Sequence, residues 1–305
     1  MSQSTNDQSV IATRNQEPIQ NPKSINMNQP SNKKINFQSQ TDKMESIDAS
    51  KLDALSLEII KNQATINIGT LGHVSHGKST LVEALTGIKT IRHTSEKERN
   101  ITIKLGYANF KVYKCDRCPK PECYKSFGSN QQETALPCTT PECSGTMHLI
   151  RHFSFVDCPG HECLMSTMLN GAAVMDGAVL VVASNEVVPR PQTAEHLIAA
   201  EIMQLQNLVT IQTKLDLVEP AQAMENHKQI KSFLKGTSAE KSPVIPVCCS
   251  PLRRVNIDVV LQYLCENVPV PKRQLTDAPH FSVVRSFDVN VPGEDFARMK
   301  GGVAG

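Results

Sequence analysis

The stretch that decides the fold is Gly72-His73-Val74-Ser75-His76-Gly77-Lys78-Ser79. It satisfies the pattern G-x-x-x-x-G-K-[ST], in which a glycine-rich loop points successive backbone N–H groups at phosphate oxygens. The β-branched run Ile66–Leu71 precedes it, and a helical pattern begins at Lys78. A strand, this loop and a helix in that order predict a phosphate-binding loop. The alternative is an ordinary glycine-rich turn.

Outward from this loop, short apolar runs alternate with helical patterns. The predicted buried strands are Ile66–Leu71, Phe153–Asp157, Ala178–Ala183, Leu208–Gln212 and Val244–Val247. The predicted helices are Lys78–Leu85, Cys163–Asn170, Thr193–Leu205, Ala221–Leu234 and Ile257–Asn267. Strands that alternate with helices predict an α/β fold, in which a mostly parallel sheet carries helices on both faces.

The chain divides into three parts. Residues 1–55 are dominated by Ser, Asn and Gln, which predicts a disordered tail. Residues 56–268 form the α/β domain. The stiff segment Val268–Pro271 predicts a linker between this domain and residues 269–305. After the linker, Phe281–Val291 alternates like a strand. So few residues cannot close a barrel, and we expect the chain to stop inside an incomplete β-barrel domain.

Composition bounds the class of protein. The chain has 305 residues, 39% of them hydrophobic, and a net charge of +2, so charge alone implicates no nucleic acid. We find no export signal and no apolar run of about 18 residues, which predicts a cytoplasmic protein that does not enter membranes. Its ten cysteines are therefore expected to be reduced.

Five residues are expected to have roles in phosphate chemistry. Lys78 is expected to reach the β- and γ-phosphates, and Ser79 to place its hydroxyl on Mg²⁺. Asp157 ends a predicted strand and is expected to hold the same ion through water. Gly160 permits close backbone approach to a γ-phosphate. His161 is placed to orient an attacking water, with a surface histidine as the alternative.

A base-reading segment follows the strand Leu208–Gln212. Thr213-Lys214-Leu215-Asp216 nearly matches N-K-x-D, whose carboxylate accepts two hydrogen bonds from guanine. Adenine lacks that donor pair and would leave Asp216 unpaired, so the segment predicts GTP or GDP and disfavours ATP. Lys214 would lay its stem across the purine. A solvated loop is the alternative.

A cysteine-rich insertion, residues 113–148, interrupts the α/β pattern. Cys118-Pro-Lys-Pro-Glu-Cys123 and Cys138-Thr-Thr-Pro-Glu-Cys143 share one pattern and are separated by 14 residues. This spacing predicts two knuckles that close on one structural Zn²⁺ through Cys118, Cys123, Cys138 and Cys143. Cys115 is a fifth candidate ligand, and free thiols are the alternative.

Several stretches together resemble the translational GTPases, and within them the gamma subunits of eukaryotic initiation factor 2. The stretches are Gly69–Leu81, Glu98–Ala108, Val156–His161, Met168–Asp176, Pro191–Thr193 with Glu195–His196, Val268–Pro271, Arg285–Asn290 and Lys300–Gly305. The resemblance extends from about Thr65 to the end. Asn100 is the most discriminating residue, since elongation factors usually carry glycine there; it and the knuckle's position argue against a selenocysteine-specific factor.

The resemblance implies a P-loop GTPase domain with a zinc-knuckle insertion. It implies Thr102 as the switch threonine that coordinates Mg²⁺, and His161, Lys78 and Thr102 as the catalytic group. The implied nucleotide-binding residues are Gly72, His73, Val74, Ser75, His76, Gly77, Lys78, Ser79, Thr80, Asp157, Gly160, Thr213, Lys214, Asp216, Cys248 and Cys249. The chain departs from the family in carrying Thr213 for asparagine, which predicts lower guanine affinity. It carries Ser75 where many elongation factors have aspartate, although the eukaryotic gamma subunits also have a small residue there, and this predicts slow intrinsic hydrolysis.

The resemblance further implies one subunit of a heterotrimer. Its partners would be the alpha and beta subunits, initiator methionyl-tRNA, the small ribosomal subunit, and activating and exchange factors. The alternative function is a zinc-knuckle module that binds RNA or protein and whose altered Thr213 and Cys248 mark a nucleotide site that no longer turns over.

Overall fold

The computed structural model describes residues 53–91, 96, 102–250, 253–272, 278, 283, 285–288, 290, 295–298 and 301–304. Most of the predicted tail, the discriminating Asn100 and much of the predicted strand Phe281–Val291 lie outside these residues.

Eight strands form one mixed sheet in the order β3-β2-β5-β1-β6-β7-β8, with β4 on β5. Their bounds are β1 Ile66–Leu71, β2 Gly106–Cys115, β3 Tyr124–Gly128, β4 Ala135–Pro137, β5 Thr146–Asp157, β6 Gly177–Ala183, β7 Leu208–Thr213 and β8 Val244–Pro246. Strands β5, β1, β6, β7 and β8 are parallel. Strands β2, β3 and β4 join antiparallel to their neighbours.

Six helices accompany this sheet in the described part of the chain. They are α1 Leu57–Asn62, α2 Lys78–Thr86, α3 Met165–Ala172, α4 Pro191–Ile202, α5 Pro220–Phe233 and α6 Ile257–Asn267. One core packs residues of α1, α2 and α6 against the sheet, and a second packs residues of α3, α4 and α5. The predicted α/β fold with helices on both faces is confirmed.

The central strand β6 shows why the apolar runs predict the parallel strands. All seven of its residues are buried, because helices cover both faces of the sheet at that point. The antiparallel strands were not predicted. They lie in or beside the cysteine-rich insertion, and β5 is longer than its predicted part, beginning at Thr146.

Two short hairpins complete the described elements. Strand β9, Cys248–Ser250, pairs antiparallel with β10, Arg253–Val255. Strand β11, Arg285–Asp288, falls within the predicted strand Phe281–Val291 and pairs antiparallel with β12, Gly301–Ala304. In the described residues, no helix combines the length and the apolar character needed to cross a bilayer.

Candidate functional site

A cavity of about 430 Å³ opens where β1 and β7 end. Carboxyl ends of parallel strands are where ligands bind in open α/β folds. The cavity is lined by Val74, Ser75, Gly77, Lys78, Ser79, Thr80, Ile91, Thr102, Gly160, Thr213, Lys214, Asp216, Leu217, Cys249 and Ser250. The structure thus brings together residues that lie more than 130 positions apart in the chain.

The phosphate loop runs from the end of β1 into α2. Gly77 precedes the helix with φ of +90°, a conformation that a side chain would strain. The Lys78 ammonium donates hydrogen bonds to the carbonyl oxygens of Gly72, at 2.8 Å, and His73, at 2.7 Å. Burial lowers the pKa of Lys78 to about 8. A buried cation beside backbone N–H groups suits a polyanionic ligand such as a phosphate chain.

Two hydroxyls fit a magnesium ion. The Oγ of Ser79 lies 2.9 Å from Oγ1 of Thr102. Adjacent oxygen ligands of an octahedral Mg²⁺, each about 2.0–2.1 Å from the ion, lie about 2.9 Å apart. The carboxylate of Asp157 is fully buried behind them and accepts hydrogen bonds from Thr70, at 3.0 Å, and Thr90, at 2.5 Å. Burial raises the pKa of Asp157, and these hydroxyl donors oppose that shift.

Gly160 and His161 follow Asp157 on the other side of the cavity. A Cβ at Gly160 would collide with the Lys78 ammonium and would come within 2.8 Å of the Val74 nitrogen, so only glycine fits there. The ring of His161 is exposed, and its Nδ1 accepts a hydrogen bond from the backbone N–H of Cys163 at 3.3 Å. The ring caps a short 3₁₀ helix and does not line the cavity.

The base-reading segment forms the opposite wall. Lys214 has φ of +58°, and Asp216 lies in the 3₁₀ turn that follows it. Thr213 is buried, and its hydroxyl donates to the carbonyl oxygen of His76 at 2.6 Å. The segment and the phosphate loop are therefore joined directly, through the residue at which this chain departs from the N-K-x-D pattern.

The structure corrects one predicted base contact. Cys248 is 3% exposed and does not line the cavity, whereas Cys249 and Ser250 do. Neighbouring residues of a strand point to opposite faces, so placing Cys248 inward turns Cys249 toward the site. Gly72, His73 and His76 are also absent from the cavity lining. The imidazole of His76 instead faces the carbonyl oxygen of Val181 at 3.0 Å.

Two residues to which the sequence assigns no role in the site support this wall from behind. His196 of α4, which belongs to a stretch that carries the family resemblance, is fully buried, and its Nδ1 accepts a hydrogen bond from the Gly72 N–H at 3.0 Å. Burial lowers its pKa to about 3, so the ring is neutral. Glu186, in the loop after β6, faces the phosphate loop and the base-reading segment. Neither role is visible in a local pattern, because both contacts are long-range.

A second site lies in the cysteine-rich insertion. The sulfur atoms of Cys115, Cys118, Cys138 and Cys143 all lie within 4.8 Å of one another. The measured separations include 3.8 Å for Cys115 to Cys143, 3.6 Å for Cys118 to Cys138 and 3.5 Å for Cys118 to Cys143. Four thiolates at about 2.3 Å from a tetrahedral zinc would lie about 3.8 Å apart. The four residues fit a closed zinc site.

Backbone donors support the same assignment. The N–H groups of Arg117, Thr140 and Gly145 each point at the cysteine sulfur two residues earlier, at 3.4–3.5 Å. Such donors stabilise thiolates. The Thr140 N–H lowers the pKa of Cys138 to about 6.

The structure brings Cys115, the fifth candidate, into this cluster and leaves out the predicted ligand Cys123. Cys123 is 1% exposed and packs in the core with Tyr124, while its carbonyl oxygen accepts the N–H of Cys115 at 2.9 Å. Its thiol is not in the sulfur cluster. The first pair of ligands is thus spaced C-x-x-C, and only the second keeps the wider spacing of Cys138 and Cys143.

The chain is similar in sequence to known proteins. Residues 63–270 match the family described as the elongation factor Tu GTP binding domain. The eukaryotic translation initiation factor 2 subunit 3 of Drosophila melanogaster is 53% identical over 273 residues, or 89% of this chain and 57% of that protein. The subunit gamma of the same factor from Schizosaccharomyces pombe is 53% identical over 263 residues, or 86% of this chain and 58% of that protein.

The chain thus spans a little under three fifths of the length of these curated relatives. Among solved structures, a bacterial selenocysteine-specific elongation factor superposes with a TM-score of 0.49 at 26% identity, covering 66% of this chain and 28% of the other.

Proposed function

Because this chain belongs to the family of the elongation factor Tu GTP-binding domain, we propose that it binds GTP and GDP with Mg²⁺ and hydrolyses GTP to GDP and phosphate. The observation that carries this proposal is that one cavity is lined by Lys78 and Ser79, by Thr102, and by the base-reading residue Asp216. These residues come from three segments of the chain: the phosphate loop with Lys78 and Ser79, the switch with Thr102, and the base-reading segment with Asp216. A guanine-nucleotide site has the same three parts.

The residues of the site have separate roles in nucleotide binding and hydrolysis. Lys78 and the N–H groups of the phosphate loop bind the phosphates, and Gly160 lets its backbone approach the γ-phosphate. Ser79 and Thr102 would hold Mg²⁺, with Asp157 supplying charge through water. The ion neutralises charge on the transferred phosphoryl group. His161, released from its cap on Cys163, would orient the attacking water, so that hydrolysis is slow until a partner places the ring.

Guanine selection is assigned to Asp216, with Lys214 over the purine face. Calorimetry with GDP, xanthosine diphosphate and ADP on the same preparation tests it. We expect GDP to bind at micromolar or lower concentration and ADP not to bind. Equal binding of ADP and GDP, or no binding of either, would contradict the proposal. Tighter binding of GDP by Thr213→Asn would support the expectation that Thr213 lowers the affinity for guanine.

Hydrolysis is tested separately from binding, because the alternative function is a non-hydrolysing module for RNA or protein. We expect phosphate release from GTP by the wild-type chain and none by Lys78→Ala, whose phosphate loop lacks its cation. If the wild-type chain binds GTP but releases no phosphate even with an activating protein, the non-hydrolysing module is favoured.

For the complete protein we propose a role in translation initiation, supported by the identity to two initiation factor 2 subunits. It would act in the cytoplasm with alpha and beta subunits, carry initiator methionyl-tRNA to the small ribosomal subunit, and depend on activating and exchange factors. Co-purification of a tagged chain with the two other subunits and with initiator tRNA tests this. Their absence from a nucleotide-loaded complex would contradict it.

We further propose that Cys115, Cys118, Cys138 and Cys143 bind one structural Zn²⁺. Four thiolates leave no open position, so the ion stabilises the insertion and takes no part in hydrolysis.

The proposed division of the chain is a tail over residues 1–55, the GTPase domain over 56–268 and the start of a β domain over 269–305. Limited proteolysis that cleaves in 1–55 and near Pro269–Pro271, leaving the middle intact, would support that division.

A further inference from the structure

Glu186 lies at the junction of three positively charged or ionisable side chains. Its Oε2 is 2.8 Å from Nε of Arg190 and 3.4 Å from Nε2 of His76, and its Oε1 is 4.0 Å from Nζ of Lys214. The side chain is 17% exposed. It does not line the cavity.

The loop that carries Glu186 is fixed in place. The backbone carbonyl oxygen of Glu186 accepts a hydrogen bond from the Asn226 side chain at 3.0 Å. Two residues earlier, the N–H and the hydroxyl of Ser184 both donate to the carbonyl oxygen of Thr213, at 2.9 and 2.7 Å. The loop after β6 is therefore tied to the end of β7, the strand that leads into the base-reading segment. A carboxylate on such a loop has a defined position.

Lys214 is constrained at both ends. Its backbone is held in the left-handed conformation, with φ of +58° and ψ of 37°. Its ammonium lies 4.0 Å from Oε1 of Glu186, and Lys214 lines the cavity together with Asp216. A lysine side chain loses considerable rotamer entropy when it is immobilised. Holding the ammonium before the ligand arrives reduces the loss that remains on binding.

We propose that Glu186 is a positioning residue for guanine-nucleotide binding: it holds the Lys214 ammonium at the edge of the site so that the Lys214 stem covers the purine. Arg190 directs the carboxylate through its 2.8 Å contact, and the His76 ring lies 3.4 Å from the same oxygen. The inference rests on the proposed function, since it assigns Lys214 to the base.

Ionisation of Glu186 is consistent with this role. Burial opposes the charged form, but His76, Arg190 and Lys214 together lower the pKa of the carboxyl below its ordinary value. The groups that face it from neighbouring elements are thus all basic. A glutamine at position 186 would keep the shape and one acceptor oxygen but would lose the charge.

A double-mutant cycle on the 305-residue chain tests the proposal. Glu186→Gln should weaken GDP binding by about two- to tenfold, the range for one immobilised side chain. Lys214→Met keeps an apolar stem without the ammonium. On that background Glu186→Gln should change GDP affinity by less than about twofold, because the partner is gone. Glu225→Gln, at an exposed pair with Lys228, is the matched control and should leave GDP affinity unchanged.

The outcomes separate the two proposals. If the wild-type chain does not bind GDP, the proposed function fails. If it binds GDP and Glu186→Gln binds equally well, or loses the same factor on both backgrounds, the positioning role is overturned. Should Glu186→Gln not fold, the salt dependence of GDP binding decides. An ion pair is screened by salt, so the wild type should lose more affinity than Lys214→Met as salt rises; equal slopes would overturn the role.

Discussion

The hydroxyl of Thr213 donates a 2.6 Å hydrogen bond to the backbone carbonyl oxygen of His76. Both residues are buried, and they join the base-reading segment to the phosphate loop. Thr213→Val has the same shape but leaves that carbonyl oxygen without its donor. We expect a loss of about 1–3 kcal/mol in the free energy of unfolding and weaker GDP binding. Urea denaturation and calorimetry measure both, and Thr213→Ser, which keeps the hydroxyl, should retain most of the affinity.

The proposed zinc site distinguishes two cysteines that sequence spacing does not. Cys115→Ala should abolish zinc binding, because it removes one of four ligands, whereas Cys123→Ala should keep one zinc per chain. Native mass spectrometry counts the ion. Zinc that survives Cys115→Ala and is lost with Cys123→Ala would show that the ligand assignment is wrong.

Removal of zinc should have a local effect. We expect a chelator to unfold the insertion while GDP binding changes little, since the sulfur cluster and the nucleotide cavity share no residue. Hydrogen exchange of residues 115–147, followed beside GDP affinity, tests this. Loss of GDP binding on chelation would mean that the ion also supports the nucleotide site.

Gly160→Ala should disrupt the phosphate site. The added Cβ would meet the Lys78 ammonium and come within 2.9 Å of the Gly72 carbonyl oxygen. Overpacking of this kind costs about 1–3 kcal/mol, which corresponds to about 5- to 150-fold in GTP affinity. Gly128→Ala, where a Cβ meets nothing within 4 Å, is the control. Similar GTP affinities for the two variants would argue against close approach of this loop.

Buried histidines should make stability depend on pH. Burial lowers the pKa of His196 to about 3 and that of His76 to about 4, against about 6.5 in the unfolded chain. Between these values the unfolded state binds more protons, so stability falls as pH drops below about 6.5, by about 1.4 kcal/mol per pH unit for each ring.

Replacing His196 tests this pH dependence. In His196→Asn, the amide oxygen can still accept the Gly72 N–H, and the slope of unfolding free energy against pH should decrease by about one proton. Exposed His148→Gln serves as the control and should keep the wild-type slope. An unchanged slope in His196→Asn would show that His196 is not neutral in the folded protein.

The sequence predicts the parallel half of the sheet because burial on both faces leaves a readable apolar run, as in Gly177–Ala183. The sequence predicts the position of the phosphate loop because the loop must lie between the strand Ile66–Leu71 and a helix that begins at Lys78. It does not predict β3 and β4, which lie in the insertion and are mostly not buried, or β2, which ends inside the insertion.

The parts of the sites that sequence misses depend on long-range contacts. Cys115 joins the sulfur cluster in place of Cys123 because β2 places its thiol beside Cys143, 28 positions away, and spacing alone cannot show that. Glu186 belongs to no motif, and the stretch that contains His196 does not show a role for it, because both roles follow only from what lies across the fold. Even the departure at Thr213 is reinterpreted, since its hydroxyl keeps the link to the phosphate loop.

The pairing of Cys115 with Met147 has a consequence for how this domain can change over time. These residues are neighbours on antiparallel strands, about 5 Å apart at Cα. The residues between them, with three of the four clustered cysteines, are topologically the loop of one hairpin. The chain therefore enters and leaves this segment at one place, and the nucleotide cavity lies toward the far end of the same two strands. Changes in the length of the segment would not reroute the rest of the chain, although Cys123 and Tyr124 anchor it to the core.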